Sequence, residues 1–187
     1  MDKIKITFPD GSIKEFDKGV TAFKIAESIS PQLAQDVLAA EINGIVKDLS
    51  ITINNNALLK FLKFDDEKGK EVYWHSTSHL MAHAVQDIYP EAKFGVGPAI
   101  DSGFYYDIDI NTQLAEEDLR KIEKRMEEIS KKNNPFVRQE ISKDNAVKFF
   151  VDKGDPYKLE ILSELDENSK VISLYKEGEF TDLCTGP

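Results

Sequence analysis

Lys3-Ile4-Lys5-Ile6-Thr7-Phe8-Pro9-Asp10-Gly11-Ser12-Ile13-Lys14-Glu15-Phe16 decides how the first part of this chain folds. Ile4, Ile6 and Phe8 alternate with polar residues, the period of a half-buried strand. Pro9-Asp10-Gly11-Ser12 supplies a turn, because proline presets φ and glycine accepts a positive one. Ile13 to Phe16 then returns as the second strand of a hairpin. Downstream, Thr21 caps a helix whose Phe23, Ile25, Ala26 and Ile29 share one face. Ser30-Pro31 ends it, and Pro31 opens a further short turn. Val37 to Ile42 reads as a strand, Asn43-Gly44 as a two-residue hairpin turn, and Ile45-Val46-Lys47 as its return. Leu58 to Leu62 closes the sheet. The order β-β-α-β-β-β over residues 1–63 predicts a ubiquitin-like roll.

Phe64 to Lys70 is polar and reads as a linker over residues 64–70. A helix follows from Glu71 to Ile88, stopped by Tyr89-Pro90. Trp74, Met81, Val85 and Ile88 share one side of it, and His75, His79 and His83 another. Gly103 to Ile108 is an expected strand, with Tyr105 and Tyr106 on opposite faces. Leu114 to Lys132 is an expected helix with Leu119, Ile122, Met126 and Ile129 as its core stripe, acids at its start and lysines at its end. Phe136 to Ile141 is a strand. Ser142 caps a helix through Val147, Phe149 and Phe150, which Gly154 ends. A short helix over Tyr157 to Leu165 and a strand over Val171 to Tyr175 complete the chain. The fold class is α+β: a small β-grasp domain over 1–63, then a larger α+β domain over 71–187. In the second, the histidine helix packs on a mostly antiparallel sheet.

The 187 residues, 41% hydrophobic and 31% charged, suffice for one or two globular cores. With 24 basic against 34 acidic residues the net charge is −10. That excludes a protein that coats nucleic acid with a basic surface, but not a pocket that takes one nucleic-acid end. One cysteine permits no internal disulfide and fits a reducing compartment. Met1 to Ile6 lacks the apolar core of a signal peptide, and no stretch approaches the ~20 apolar residues of a membrane span. A cytoplasmic protein with no membrane partner is expected.

The chain's three histidines stand at i, i+4 and i+8 of one helix. Neighbours at i and i+4 lie about 5–6 Å apart at Cβ, which suits two ligands on one metal or two imidazoles around one water or phosphate. Ser76 occupies the place of the general base in zinc proteases, so that motif is excluded. His83 reads as a packing or hydrogen-bonding residue. Cys184, alone, is more often a small buried hydrophobe than a ligand. No phosphate-binding glycine loop is present. Arg120, Lys121, Lys124 and Arg125 alternate with acids and read as a solvated helix face.

Phe8-Pro9-Asp10-Gly11-Ser12 and Ala39-Ala40-Glu41-Ile42-Asn43-Gly44 resemble the TGS domain of the threonyl-tRNA synthetase family. His75-Ser76-Thr77-Ser78-His79-Leu80, Gly97 to Asp107, Tyr157-Lys158 and Asp182-Leu183-Cys184-Thr185-Gly186-Pro187 resemble that family's editing domain. The resemblance implies a parent enzyme that attaches threonine to tRNA with ATP. It further implies that this region hydrolyses mischarged seryl-tRNA at the 3′ aminoacyl-adenosine end. Such a second sieve is needed because a pocket that admits threonine cannot strongly exclude serine. Carried over by position, His75, His79, Lys158, Asp182 and Cys184 are the expected catalytic residues. Gly97, Tyr106 and Tyr175 are the expected substrate-binding ones.

The family's Cys-x-Gly-Pro motif continues with a histidine, whereas Pro187 is the last residue here, so an N-terminal piece of a longer enzyme is expected. A tetrahedral metal set would lack a ligand, and neither metal nor cofactor is expected in this region. ATP and a zinc ion are implied for a catalytic domain elsewhere in the parent, as is a homodimer through domains absent here. An alanyl-type zinc-dependent editing hydrolase and a non-catalytic TGS binding module are the alternatives. The first is disfavoured by the opening module and the Cys-Thr-Gly-Pro ending. The second is disfavoured by the lack of a P-loop or nucleotidyl-transfer motif.

Overall fold

β1 (Lys3–Thr7) and β2 (Ile13–Asp17) form the expected hairpin, in register from Lys3 opposite Asp17 to Thr7 opposite Ile13. The computed structural model describes residues 2–166 and 169–187. They fall into two compact units that part between Tyr73 and Trp74.

In the first unit β3 (Val20–Thr21) leads into α1 (Ala22–Ile29) and α2 (Pro31–Asp36). α1 starts on its expected cap, and α2 on Ser30, expected only to end α1. Thr21 accepts from the Lys24 amide at 3.2 Å, and Ser30 from the Leu33 amide at 3.0 Å. β4 (Ala39–Ile42) turns into β5 (Ile45–Lys47) through Asn43 and Gly44, whose φ values of 51° and 84° are the paired left-handed conformations of a type I′ turn. β6 (Thr52–Ile53) pairs with β3, and β7 (Ala57–Leu62) enters the middle of the sheet. The sheet order β2-β1-β7-β4-β5, with β7 parallel to β1, is a β-grasp. Its core is Ile4, Ile6, Ile25, Ala40 and Leu59. On α1 the buried stripe is narrower than expected: Ile25 and Ala26 are buried, Phe23 and Ile29 exposed. The two-residue β3–β6 ladder is too short to leave a periodic signal.

α3 runs Glu67–Ile88 and so begins before Glu71, within the stretch expected to be a linker. The backbone there is tied down. Asp66 accepts the Lys63 amide on its carboxylate and the Lys70 amide on its carbonyl. Gly69 lies against the end of β7, where a Cβ would meet the Lys63 carbonyl oxygen at 2.0 Å.

The second unit continues with β8 (Lys93–Phe94), β9 (Ala99–Ile100), β10 (Gly103–Phe104) and β11 (Ile108–Asp109). The single strand expected over Gly103–Ile108 is therefore broken. β10 pairs with β9 and β11 with β8, which leaves Tyr105–Asp107 outside both ladders. α4 (Glu116–Lys131), β12 (Val137–Ser142), α5 (Lys143–Asp152) and α6 (Pro156–Glu164) follow, then β13 (Val171–Glu177) and β14 (Phe180–Leu183). Two expected core residues face out: Leu119 on α4 and Val147 on α5 are exposed, while Ile122, Ile129, Ala146 and Phe150 are buried.

β12-β13-β14 is antiparallel, as expected. Ile172 and Leu174 on one face of β13 pack with Ala146, Phe150 and Leu162. On the opposite face of the sheet, Phe180 joins Ala82 and Val85 of α3 with Phe94, Ile122 and Ile129. Among the described residues no helix is long and apolar enough to cross a membrane.

Candidate active site

α3 brings His75 and His79 one turn apart, with their rings stacked at 4.9 Å between centroids. Ser78, fully buried between them, donates to the His75 carbonyl at 2.7 Å and to the Gly97 carbonyl at 3.2 Å. The helix is thereby held to the Gly95–Pro98 loop. Facing it is the sheet. Residues 173, 175 and 177 of β13 share a face with their cross-strand neighbours, and Tyr175 stands opposite Asp182. β14 and the residue after it carry Phe180, Asp182 and Cys184 on that face.

Asp182 is the hub. Its Oδ1 is 2.9 Å from Lys158 Nζ and accepts the Leu183 amide at 2.8 Å. Its Oδ2 accepts the Tyr106 hydroxyl and lies 3.1 Å from His79 Nδ1. Burial pushes the Asp182 carboxyl up, but His79 and Lys158 outweigh it and hold the group well below the ordinary carboxylate range. Lys158 is set on α6 one turn after the Asp155 cap, and it also donates to the Gly95 carbonyl at 2.8 Å and to Tyr106 at 3.4 Å. Burial and the adjacent Asp182 carboxylate raise the Tyr106 phenol, so it stays protonated and donates.

His79 has no well-aligned hydrogen bond on either ring nitrogen among the described residues, although Nδ1 makes the ion-pair contact with Asp182. Burial lowers its pKa; the Asp182 carboxylate and the Cys184 sulfur more than reverse this and bring it to about 9. Cys184 Sγ lies 3.4 Å from His75 Nε2 and 3.4 Å from the Gly186 amide. Burial raises the thiol, but His75 and His79 bring it down to about 6. The two shifts together favour a thiolate beside an imidazolium. His75, His79 and Cys184 offer three donor atoms within 4.8 Å of one another, the spacing a metal ion needs.

These groups open into a cavity of about 410 Å³ whose wall is otherwise mostly apolar, with Val96, Pro98, Ile161 and Leu165 beside the hydroxyl residues Ser169, Ser173 and Thr185. Of the eight site residues expected from sequence, six line it: His75, His79, Gly97, Tyr106, Lys158 and Cys184. Asp182 sits behind the lining as their common partner. Tyr175 is buried beside it, with its hydroxyl where a Cβ on Gly186 would come within 2.7 Å. Gly97 is required by close approach, because a Cβ there would meet the Tyr106 ring at 2.5 Å. Sequence reasoning missed the Gly95 carbonyl that fixes Lys158 and the apolar wall. Neither carries a residue-type signal.

Residues 4–63 match the TGS domain family. Over 98% of its length the chain is 53% identical to the threonine–tRNA ligase of Parabacteroides distasonis and 49% identical to that of Cytophaga hutchinsonii. It is 50% identical to that of Porphyromonas gingivalis, again over 98% of its length. The chain spans 28% of the length of each of these relatives. Nearly the whole chain is thus similar to threonine–tRNA ligases, and its first unit carries a TGS domain.

Proposed function

We propose that the cavity hydrolyses the ester between a wrongly attached amino acid and the 3′-terminal adenosine of a tRNA, with seryl-tRNA(Thr) as substrate. The parent protein is then a cytoplasmic ligase that joins threonine to tRNA with ATP. Its adenylation chemistry, its zinc ion and its homodimer contacts belong to parts outside this chain. The observation that carries this reading is the buried Lys158–Asp182–His79 array ending beside Cys184, its thiol lowered by His75 and His79, in the lining of a mostly apolar cavity. A volume of about 410 Å³ suits an aminoacyl ester and part of its nucleoside.

Ester hydrolysis needs an oriented water and a donor for the developing oxyanion. Asp182 supplies neither, because four partners occupy its oxygens. It anchors the others. Lys158 has short contacts to Asp182 and Gly95, and its longest, at 3.4 Å to Tyr106, frees one N–H to turn to the ester carbonyl oxygen. His75 and the Cys184 thiolate, paired at 3.4 Å, hold the water and take its proton as its oxygen bonds to the carbonyl carbon. That proton passes to the ribose oxygen when the ester C–O bond breaks. Selectivity follows from size: the seryl group enters where the added methyl of threonine is refused.

The reading is tested by comparing deacylation of seryl-tRNA(Thr) and threonyl-tRNA(Thr) by the intact ligase. The wild type is expected to clear the seryl ester and spare the threonyl one, and His75→Ala and Lys158→Ala to lose the former. Full-rate hydrolysis in both variants would overturn the assignment.

A further inference from the structure

His75, His79 and His83 meet the hairpin in reverse order. His75 contacts Cys184, His79 contacts Asp182, and His83 stacks on Phe180 at 5.5 Å and 12°. Four helical residues rise about 6 Å, and two strand residues advance about 6.8 Å. A histidine every fourth residue therefore keeps step with every second residue from 184 back to 180. The third rung is built differently from the other two. His83 Nδ1 bonds to the buried Glu177 carboxylate, opposite Phe180 across the hairpin. Glu177 also accepts from Asn134 Nδ2 at 2.9 Å, just beyond the end of α4. His83 Nε2 is 3.8 Å from Asp87, which Arg125 of α4 grips at 2.6 Å and 2.8 Å. The turn residue Gly178 packs so closely that a Cβ would lie 3.0 Å from Asn134 and 3.4 Å from His83. This rung lies outside the lining of the catalytic cavity.

We propose that His83 and Glu177 are positioning residues that fix the register of α3 against β14, and thereby set the His75–Cys184 and His79–Asp182 contacts. The proposal rests on the site assigned above. All three helix positions are histidine, so the rings alone do not distinguish this register from one shifted by a rung; the buried His83–Glu177 bond at the closed end of the hairpin does, alongside the Ser78 and Asp87 contacts of the same helix. The pair is strongly directional because removing either partner leaves a buried polar group unsatisfied.

Cys184, the chain's only cysteine, reports the register without any tRNA chemistry. The groups facing it are His75, His79 and the Gly186 amide. Iodoacetamide alkylation of the 187-residue chain is followed against pH, with near-ultraviolet circular dichroism to confirm folding. The wild type is expected to show a midpoint near 6. His83→Phe keeps the ring on Phe180 but loses the bond to Glu177. Glu177→Gln keeps the shape but loses the charge. Each is expected to move the midpoint upward and slow alkylation at pH 6 about five-fold or more. If His83→Phe does not fold, Glu177→Gln decides. A folded variant with lowered thermal stability and an unmoved midpoint would make the pair structural only and overturn the proposal. If the midpoint moves as expected but the wild-type ligase leaves seryl-tRNA intact, the hydrolytic reading fails and the register proposal stands.

Discussion

Lys158 Nζ stands 2.9 Å from Asp182 Oδ1, with the two side chains exposed by only 4% and 3%. Such a pair is weak evidence for stability in itself, yet breaking it by removing one partner strands a buried charge. Lys158→Met should therefore cost about 3–5 kcal/mol in urea unfolding. Lys158→Met/Asp182→Leu should recover much of that loss while hydrolysis stays absent. A single variant as stable as the wild type would mean that water reaches Asp182 and the site is not sealed.

Gly97 and Tyr106 make a second prediction. A Cβ 2.5 Å from the ring must displace it, because the contact is with a ring held at its far end by Asp182. Gly97→Ala should cost about 1–3 kcal/mol by overpacking. It should also raise KM for the seryl ester more than it lowers kcat, since the wall moves while His75 and Cys184 stay. Steady-state kinetics that split the other way would place Tyr106 in the chemical step.

The sequence signals that proved legible were local. Thr21 and Ser142 each cap the helix expected of them, and Asn43-Gly44 makes its turn. These depend on side chains acting on their own backbone. The histidine spacing likewise announced one wall of the cavity. What could not be read was made by tertiary contact. Tyr106 points inward because β10 and β11 take different partners. Leu119 faces out although its spacing fits the core stripe. Asp182 became the hub only when α6, α3 and the β10–β11 segment met it.

The early start of α3 yields a third prediction. At Gly69 the obstruction to a Cβ is backbone, the Lys63 carbonyl at 2.0 Å, and not a side chain that can swing away. Gly69→Ala should destabilise the first unit by several kcal/mol despite the higher helix propensity of alanine. The thermal midpoint of a chain limited to the first unit, residues 1–73, would register it. An unchanged or raised midpoint would show that the α3 start can shift off β7.

Metal ions make the fourth. The Cys184 sulfur is already answered by His75 Nε2, the Gly186 amide and the charged His79, and a chelating ion would have to displace the His79 proton as well. Chelator treatment should therefore leave seryl ester hydrolysis unchanged. Zinc titrated into the chain by calorimetry should give no tight stoichiometric isotherm. A one-to-one isotherm would reassign His75, His79 and Cys184 as a metal set.

His79 and Cys184 pull the pH dependence of stability in opposite directions. His79 is raised from 6.5 to about 9, so its contribution is complete below 6.5 and is lost as pH rises through about 9. Cys184 is lowered from 9.0 to about 6, so its contribution is complete above 9.0 and is lost as pH falls through about 6. Across the shared window the two slopes oppose, and the wild type should be nearly flat. Cys184→Ala leaves the histidine slope alone, and urea unfolding of that variant should weaken from about pH 6 to about pH 9 by up to about 3 kcal/mol. The loss falls short of this to the extent that Cys184 itself helped raise His79. Adding Asp182→Asn removes the main partner of the imidazolium and should abolish the slope. A flat profile in Cys184→Ala would mean that His79 is neutral when folded, and the charge pattern assigned to the cavity would be wrong.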